Sequence, residues 1–79
     1  MGGRASEFQA GGGESVKIGA TNHNSQKCLG HRKRPGNLRG QFAYKVECLC
    51  CGHVYGANGC DMHERKCPYC QGGEPGIDF

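Results

Sequence analysis

Hydrophobic and polar residues alternate most clearly in residues 41–47, QFAYKVE. Successive side chains of a β-strand point to opposite faces of the sheet, so Phe42, Tyr44 and Val46 would share one face. This alternation predicts a β-strand that leads directly into the cysteine-rich part of the chain. Residues 53–55, HVY, predict a partner strand after a short connection.

A weaker alternation begins at Val16 and Ile18, which predicts a short strand near the start of the chain. Residues 22–25, NHNS, favour a turn, because asparagine side chains bond to their own backbone and tolerate left-handed conformations. Residues 26–29 would then return as a second strand. This part of the chain therefore predicts a β-hairpin.

Glycine, proline and asparagine residues interrupt these alternating patterns and predict the loops and turns that connect the strands. Residues 30–40, GHRKRPGNLRG, are expected to form a loop, and residues 56–59, GANG, are expected to form a turn. Residues 61–66, DMHERK, predict one or two helical turns with Asp61 as the N-cap. Pro68 would end this helix, because proline lacks a backbone N–H.

Two copies of one local pattern, C-x-x-C, follow the clearest strand: CLCC in residues 48–51 and CPYC in residues 67–70. Fifteen residues separate the copies, a spacing typical of zinc sites. Zinc prefers four ligands in a tetrahedron, and each pair of cysteines on a tight turn supplies one edge of it. The motif predicts one structural zinc ion bound by Cys48, Cys51, Cys67 and Cys70.

Three further cysteines offer other interpretations. A disulfide framework is one, but seven cysteines is an odd number and paired C-x-x-C turns favour a metal. Cys50 has no C-x-x-C partner before it and is expected to be a free or packed thiol. The other two each stand in a C-x-x-H pair and together offer a second Cys₂His₂ zinc site, although cysteines packed as small apolar groups explain the same pattern. The residues of this second candidate site are Cys28, His31, Cys60 and His63.

Positive charge is concentrated in one part of the chain. The whole sequence has a formal net charge of +3, but residues 15–46 carry seven lysines and arginines and no acidic residue. Residues 47–79 carry a net charge of −3, and Zn²⁺ with four thiolates would add a further −2. A segment with one sign of charge predicts a polyanionic partner.

This charge predicts weak, largely sequence-independent binding of DNA or RNA, and an acidic protein surface is the alternative partner. Phe42, Tyr44 and Tyr55 would stack on unpaired bases if they were exposed, but a domain this small needs its aromatic residues in the core. The candidate nucleic-acid-binding residues are Arg32, Lys33, Arg34, Arg39 and Lys45.

A longer pattern, CxxCGHxY followed by a Gly/Asn turn and D-x-x-x-R-x-CPxCxGG, spans both cysteine pairs. Its positions are Cys48, Cys51, Gly52, His53, Tyr55, Asp61, Arg65, Cys67, Pro68 and Cys70. The pattern resembles the small zinc-ribbon, treble-clef-like domains of bacterial proteins of uncharacterised function, some of which sit beside nuclease or helicase modules. The resemblance implies a zinc-bound β-hairpin module, and it implies contact with DNA only by association.

Two other chemistries compete with this interpretation. The C-x-x-C turns are also similar to those of rubredoxins, which hold iron and carry electrons, but the gap between the turns is short for that family and the chain has no tryptophan. A catalytic zinc ion keeps one coordination position open, whereas four cysteines close the shell. We therefore do not expect an enzyme.

The chain is long enough for one small domain, whose core needs support from a metal. We expect residues 1–14 to be a disordered tail or vector-derived residues, residues 15–40 a basic segment, residues 41–76 a zinc ribbon and residues 77–79 a second tail. Neither a signal peptide nor a membrane-spanning run is visible, which predicts a cytoplasmic protein. The expected fold is a small, metal-stabilised, mainly β zinc ribbon with short hairpins and one helical turn before the second cysteine pair.

Overall fold

The computed structural model describes residues 8–79, which form a three-stranded antiparallel sheet. β1 comprises Gln26–Pro35, β2 comprises Phe42–Cys48 and β3 comprises Val54–Asn58, with β2 in the centre. Within the described residues, helical structure is limited to short 3₁₀ turns. The mainly β fold class predicted from the sequence is therefore confirmed.

The core lies on one face of this sheet. Cys28 of β1 pairs with Val46, which pairs in turn with Tyr55 of β3, so these three side chains form a row across the strands. Met62 packs into the same cluster and is almost completely buried, as is Tyr44. The two tyrosines considered as base-stacking residues are therefore core residues. The cluster consists of Val16, Cys28, Tyr44, Val46, Tyr55, Ala57 and Met62.

β1 is longer than predicted, because the loop expected at residues 30–40 is a strand as far as Pro35. The register of β1 against β2 shifts at two places, and these shifts accommodate residues that predicted a loop. Gly30 has a φ of 97° and Lys33 a φ of 66°, conformations that fit β-bulges rather than a regular strand. Pro35 ends the strand, where its missing N–H interrupts little of the ladder. The connection to β2 is reduced to residues 36–41.

β3 is also longer than predicted, since residues 56–58 continue the strand where a turn was expected. The C-terminal tail crosses β3 at Gly56, where Ile77 donates its N–H to the Gly56 carbonyl at 2.9 Å. A Cβ at residue 56 would collide with the Ile77 carbonyl oxygen. Glycine here permits a close approach of two backbones rather than a turn.

No α-helix forms over residues 61–66, and the predicted N-cap lies inside a 3₁₀ turn, Gly59–Asp61. A distant side chain binds the Met62 carbonyl, which such a helix would use, and the Arg65 carbonyl near its predicted end. Asn22 donates to the carbonyl of Met62 at 2.7 Å and to that of Arg65 at 3.0 Å. The single helical turn predicted before the second cysteine pair is therefore present, but it is a 3₁₀ turn that begins two residues early. The sequence did not show the difference, because Asn22 lies 40 positions or more away.

The hairpin predicted around residues 22–25 forms in a shortened version. The turn contains Ser25, whose φ of 62° is left-handed. Beyond it, the chain segments pair for a few residues: the Cys28 N–H donates to the Ala20 carbonyl at 2.8 Å, and the Gly19 N–H donates to the Cys28 carbonyl at 2.8 Å.

The strand predicted at Val16 and Ile18 does not form. Val16 ends a 3₁₀ turn and is buried in the core, whereas Ile18 is exposed. Gln9, which was assigned to a disordered tail, exchanges backbone hydrogen bonds with His31 of β1. Residues 1–7 of that predicted tail lie outside the described residues.

Candidate metal centre

The two C-x-x-C segments meet at one end of the sheet. The first knuckle, residues 48–51, begins at the last residue of β2, and the second knuckle, residues 67–70, follows the turns after β3. Their four sulfurs lie within 4.8 Å of one another and form the only group of three or more potential metal ligands found in residues 8–79. The group consists of Cys48, Cys51, Cys67 and Cys70.

The spacing of these sulfurs fits a tetrahedral metal ion. Sγ of Cys48 lies 3.6 Å from Sγ of Cys70, and Sγ of Cys51 lies 3.7 Å from Sγ of Cys67. A regular tetrahedron with zinc–sulfur bonds of about 2.3 Å has edges of about 3.8 Å. A disulfide would need about 2.0 Å, and all seven cysteines are free thiols. The donor set therefore suits an ion such as zinc, which would join one knuckle to the other.

Backbone hydrogen bonds shape both knuckles. In the second knuckle, the N–H groups of Tyr69 and Cys70 point to Sγ of Cys67 at 3.3 and 3.4 Å. In the first knuckle, the Gly52 N–H closes the turn by donating to the Cys48 carbonyl at 2.8 Å. N–H groups directed at sulfur favour its thiolate form, which is the form that binds a metal.

Cys48 and Cys70 lie close together, and the negative charge of one opposes the loss of a proton from the other. Burial raises the pKa of Cys48, but hydrogen bonds from the Gln26 side chain and from backbone N–H groups of the first knuckle outweigh it and lower the pKa to about 6. Desolvation and the neighbouring thiols raise the pKa of Cys70. One thiolate forms readily and then opposes the next, and a divalent cation relieves this repulsion.

A buried glutamine contacts the centre, and sequence analysis did not identify it. Gln26 has no exposed surface, and its Nε2 lies 3.2 Å from Sγ of Cys48. Nε2 also donates to the Asn24 carbonyl at 2.9 Å, while Oε1 accepts from the Tyr55 hydroxyl at 2.6 Å. Because Gln26 pairs with Cys48 in the register of β1 and β2, the sheet itself places this amide beside the ligand.

A second glutamine, Gln71, extends the network to the second knuckle. Its Oε1 accepts from the Cys67 backbone N–H at 2.7 Å, and its Nε2 donates to the Asn24 carbonyl at 2.9 Å. Oε1 of Gln71 also lies 3.2 Å from Nε2 of Gln26. The two amides thus connect β1 to both knuckles. Single polar residues carry no spacing signal, so the sequence alone could not reveal this role.

The second metal site weighed from the C-x-x-H pairs does not assemble within the described residues. Cys28 is fully buried in the core, and this burial raises the pKa of its thiol. His31 is stacked against aromatic rings instead of facing a metal. Cys60 and His63 are exposed, as is the leftover thiol Cys50. Cys28 instead packs in the core as a small apolar residue, which is the alternative interpretation given above for the C-x-x-H cysteines.

Three of the predicted nucleic-acid-binding residues lie toward the end of the sheet opposite the metal centre. Lys33 and Arg34 are exposed in the last part of β1, and Arg39 is exposed in the connection to β2. Arg34 lies 3.8 Å from the Asp78 carboxylate, an exposed ion pair of little energetic weight. These three cations form what we call the basic end.

The other two predicted residues contact the terminal segments. Nε of Arg32 donates to the Phe79 carbonyl at 2.7 Å. Nζ of Lys45 lies 5.1 Å from the ring centroid of Phe8 and 5.9 Å from that of Phe79. The C-terminal tail therefore folds back on the sheet, and these two cations are already engaged within the chain.

Comparison with known proteins does not assign this chain to a family. The chain matches no protein-family model, and no curated protein or solved structure is significantly similar to it. The likeness to zinc ribbons rests on the small β fold and the four-cysteine cluster. No helix within residues 8–79 has the length and apolar character needed to cross a membrane.

Proposed function

We propose that the protein is a zinc-binding module in which a single structural zinc ion joins the two knuckles. The observation that carries this proposal is the approach of four sulfurs at the spacing of a tetrahedron. Tetrahedral thiolate sites hold zinc or iron, and zinc suits a structural role because it has no redox chemistry. Four protein ligands leave no open position for a substrate, so we assign the metal no catalytic role.

The small size of the core supports this assignment. Within residues 8–79, seven residues form the buried hydrophobic cluster, and a chain of this length draws roughly 3–5 kcal/mol from such a core. Structural zinc sites contribute apparent binding free energies of about 10–16 kcal/mol. Metal binding then decides whether the domain folds, and we expect the metal-free protein to be largely unfolded.

We further propose that the basic end binds nucleic acid. Its three exposed cations, Lys33, Arg34 and Arg39, belong to a segment, residues 15–46, with a net charge of +7. Cations of this kind neutralise phosphates and give weak, salt-dependent and largely sequence-independent affinity. An acidic protein surface is the competing partner for the same cations.

Binding to labelled single-stranded and duplex oligonucleotides, measured by fluorescence anisotropy over a range of salt concentrations, tests this proposal. The variant Lys33→Asn/Arg34→Gln/Arg39→Gln removes the basic end. Asparagine is used at residue 33 because its φ of 66° is left-handed, a conformation that asparagine tolerates. We expect weaker binding and a slope of log affinity against log salt that falls by about 0.7–0.9 for each lost phosphate contact.

A control matched in charge removes three cations from other parts of the chain: Lys17→Gln/Lys27→Gln/Lys66→Gln. This variant should change affinity and slope much less. Equal effects of the two triple variants would show that only net charge matters. No binding of either oligonucleotide at low salt would overturn the nucleic-acid part of the proposal, leave the zinc part intact and favour an acidic protein partner.

A further inference from the structure

An aromatic ring lies at the same end of the sheet as the exposed cations of the basic end. Phe42 begins β2, pairs with Pro35 of β1 and is 42% exposed. Its ring stacks on that of His31, with a centroid separation of 4.4 Å and an interplanar angle of 8°. His31 is buried and meets the buried Tyr44 edge-on at 5.0 Å. Phe42 is thus the outermost ring of an aromatic column that extends from the core.

Several contacts fix His31 and so order this column. The backbone N–H of His31 donates to the Gln9 carbonyl at 2.9 Å, and its carbonyl accepts from the Gln9 N–H at 2.6 Å. Nδ1 of His31 accepts a hydrogen bond from the Lys33 backbone N–H at 3.1 Å. A surface that is already ordered loses little conformational freedom when a ligand covers it. A planar ligand would therefore meet a preformed stacking surface.

The three cations of the basic end lie between His31 and Phe42, the two rings of this surface, in the sequence. Lys33 and Arg34 follow His31 on β1, and Arg39 lies in the short connection that leads to Phe42. Proteins that bind single-stranded nucleic acid combine such cations, which contact phosphates, with aromatic rings on which bases stack. In a duplex the faces of the bases cover one another, and proteins reach only their edges.

We infer that Phe42 stacks on an unpaired nucleobase while the basic end holds the neighbouring phosphates, so that the domain prefers single-stranded to duplex nucleic acid. The inference rests on the nucleic-acid binding proposed above and names its substrate class.

Tyr69 shows why the exposure of an aromatic ring is not sufficient to predict base stacking. It is 79% exposed and stacks on His53 at 5.4 Å with an interplanar angle of 26°. Tyr69, however, lies inside the second knuckle, between two metal ligands. Four thiolates around a divalent ion carry a net charge of −2, which repels phosphates. Tyr69 is therefore a matched control for Phe42: a ring stacked on histidine, but in a negative environment.

Tryptophan fluorescence provides the first test, because the chain contains no tryptophan. Phe42→Trp and Tyr69→Trp each introduce one fluorophore, and each protein is first shown to bind one zinc ion and to keep the parent circular dichroism spectrum. A short oligothymidylate should quench the emission of Phe42→Trp strongly and that of Tyr69→Trp little, and the matching duplex should quench neither. Equal quenching at both positions, or equal quenching by single strand and duplex, would overturn the inference.

Affinities provide the second test. Phe42→Leu keeps an apolar side chain against His31 but removes the planar face, so affinity for the single strand should fall at least about 5-fold, the lower end of base–aromatic stacking. Duplex affinity should not change. The control Leu38→Ala trims a residue of similar exposure, 48%, in the neighbouring connection and should alter neither affinity.

The outcomes separate this inference from the proposed function. If single strand and duplex bind equally and Phe42→Leu changes neither, the stacking inference fails while salt-dependent binding by the basic end stands. If Leu38→Ala weakens single-strand binding as much as Phe42→Leu, the contact is apolar without stacking and the inference also fails. Absence of binding to either oligonucleotide overturns the proposed function and the inference together.

Discussion

The hydrogen bond from Gln26 to Cys48 offers the most specific test of the metal centre. Gln26→Met keeps the length of the side chain but removes its amide, so Sγ of Cys48 loses a donor 3.2 Å away and the Tyr55 hydroxyl loses its acceptor. Tyr55→Phe breaks the same hydroxyl–amide bond from the other side. It leaves Nε2 of Gln26 held by the Asn24 carbonyl at 2.9 Å. Gln26→Met therefore loses the bond to sulfur and the contacts of Nε2 with Asn24 and Gln71. Tyr55→Phe keeps all three.

The expected magnitudes follow from burial, since Gln26 is 0% and Tyr55 4% exposed. A hydrogen bond to a charged group contributes about 1.5–3 kcal/mol, and about 1.4 kcal/mol is a factor of ten in affinity. Gln26→Met should weaken zinc binding about 10- to 100-fold, the range typical of residues that hold metal ligands in place. Tyr55→Phe loses a neutral bond of about 1 kcal/mol and should weaken zinc binding no more than about 5-fold.

Competition against a chromophoric zinc chelator at fixed pH measures these affinities, and cobalt-substituted protein adds a spectroscopic readout. An N–H donor withdraws electron density from sulfur. Its loss in Gln26→Met should move the sulfur-to-cobalt charge-transfer absorption to lower energy, and Tyr55→Phe should leave this absorption in place. Equal zinc affinities in the two variants, with unchanged absorption, would refute the role of Gln26, because a general loss of packing would affect both alike.

Three further predictions concern the rest of the chain. Cys67→Ser should release the metal and unfold the domain, and native-like dispersed amide NMR signals after full chelation of the parent would contradict this. Metal analysis should give one zinc ion per chain in the parent and in Cys28→Ala/Cys60→Ala. Two zinc ions in the parent and one in the variant would show that the second site exists. Asn22→Ala should lower the free energy of unfolding by about 2 kcal/mol, because the part-buried Met62 carbonyl loses its donor and the N–H groups of Asn24 and Gln26 lose their acceptor. The exposed control Thr21→Ala should cost less than about 0.5 kcal/mol in the same denaturant titration.

The features that the sequence predicted correctly depend on local pattern. β2 alternates because one of its faces packs on the core, and the observed strand, Phe42–Cys48, departs from the prediction by a single residue at each end. The meeting of the four cysteines follows from two tight turns whose separation in the sequence is typical of metal sites. In both cases the residues that determine the structure are close in sequence.

The features that the sequence predicted wrongly depend on contacts between distant residues. Gly30 and Gly56 indicated a loop and a turn, because glycine favours both. In the fold, each instead permits another backbone to come close: Gln9 beside Gly30 and Ile77 beside Gly56. In the sequence Gln26 is one polar residue among many, and only the pairing of β1 with β2 brings its amide to Cys48. A local pattern in a single sequence does not reveal these contacts between distant residues.

The length of β2 allows the two ends of the sheet to carry opposite charge. Its seven residues span about 20 Å. At that distance the net charge of −2 on a zinc–thiolate centre repels one phosphate by about 0.4 kcal/mol in water. Salt with a Debye length of about 8 Å reduces this to less than about 0.1 kcal/mol. At about 5 Å the same repulsion would remain near 1 kcal/mol even with screening. The strand that brings Cys48 to the candidate metal centre begins at Phe42, so a phosphate at the basic end would lie beyond the reach of the thiolate charge.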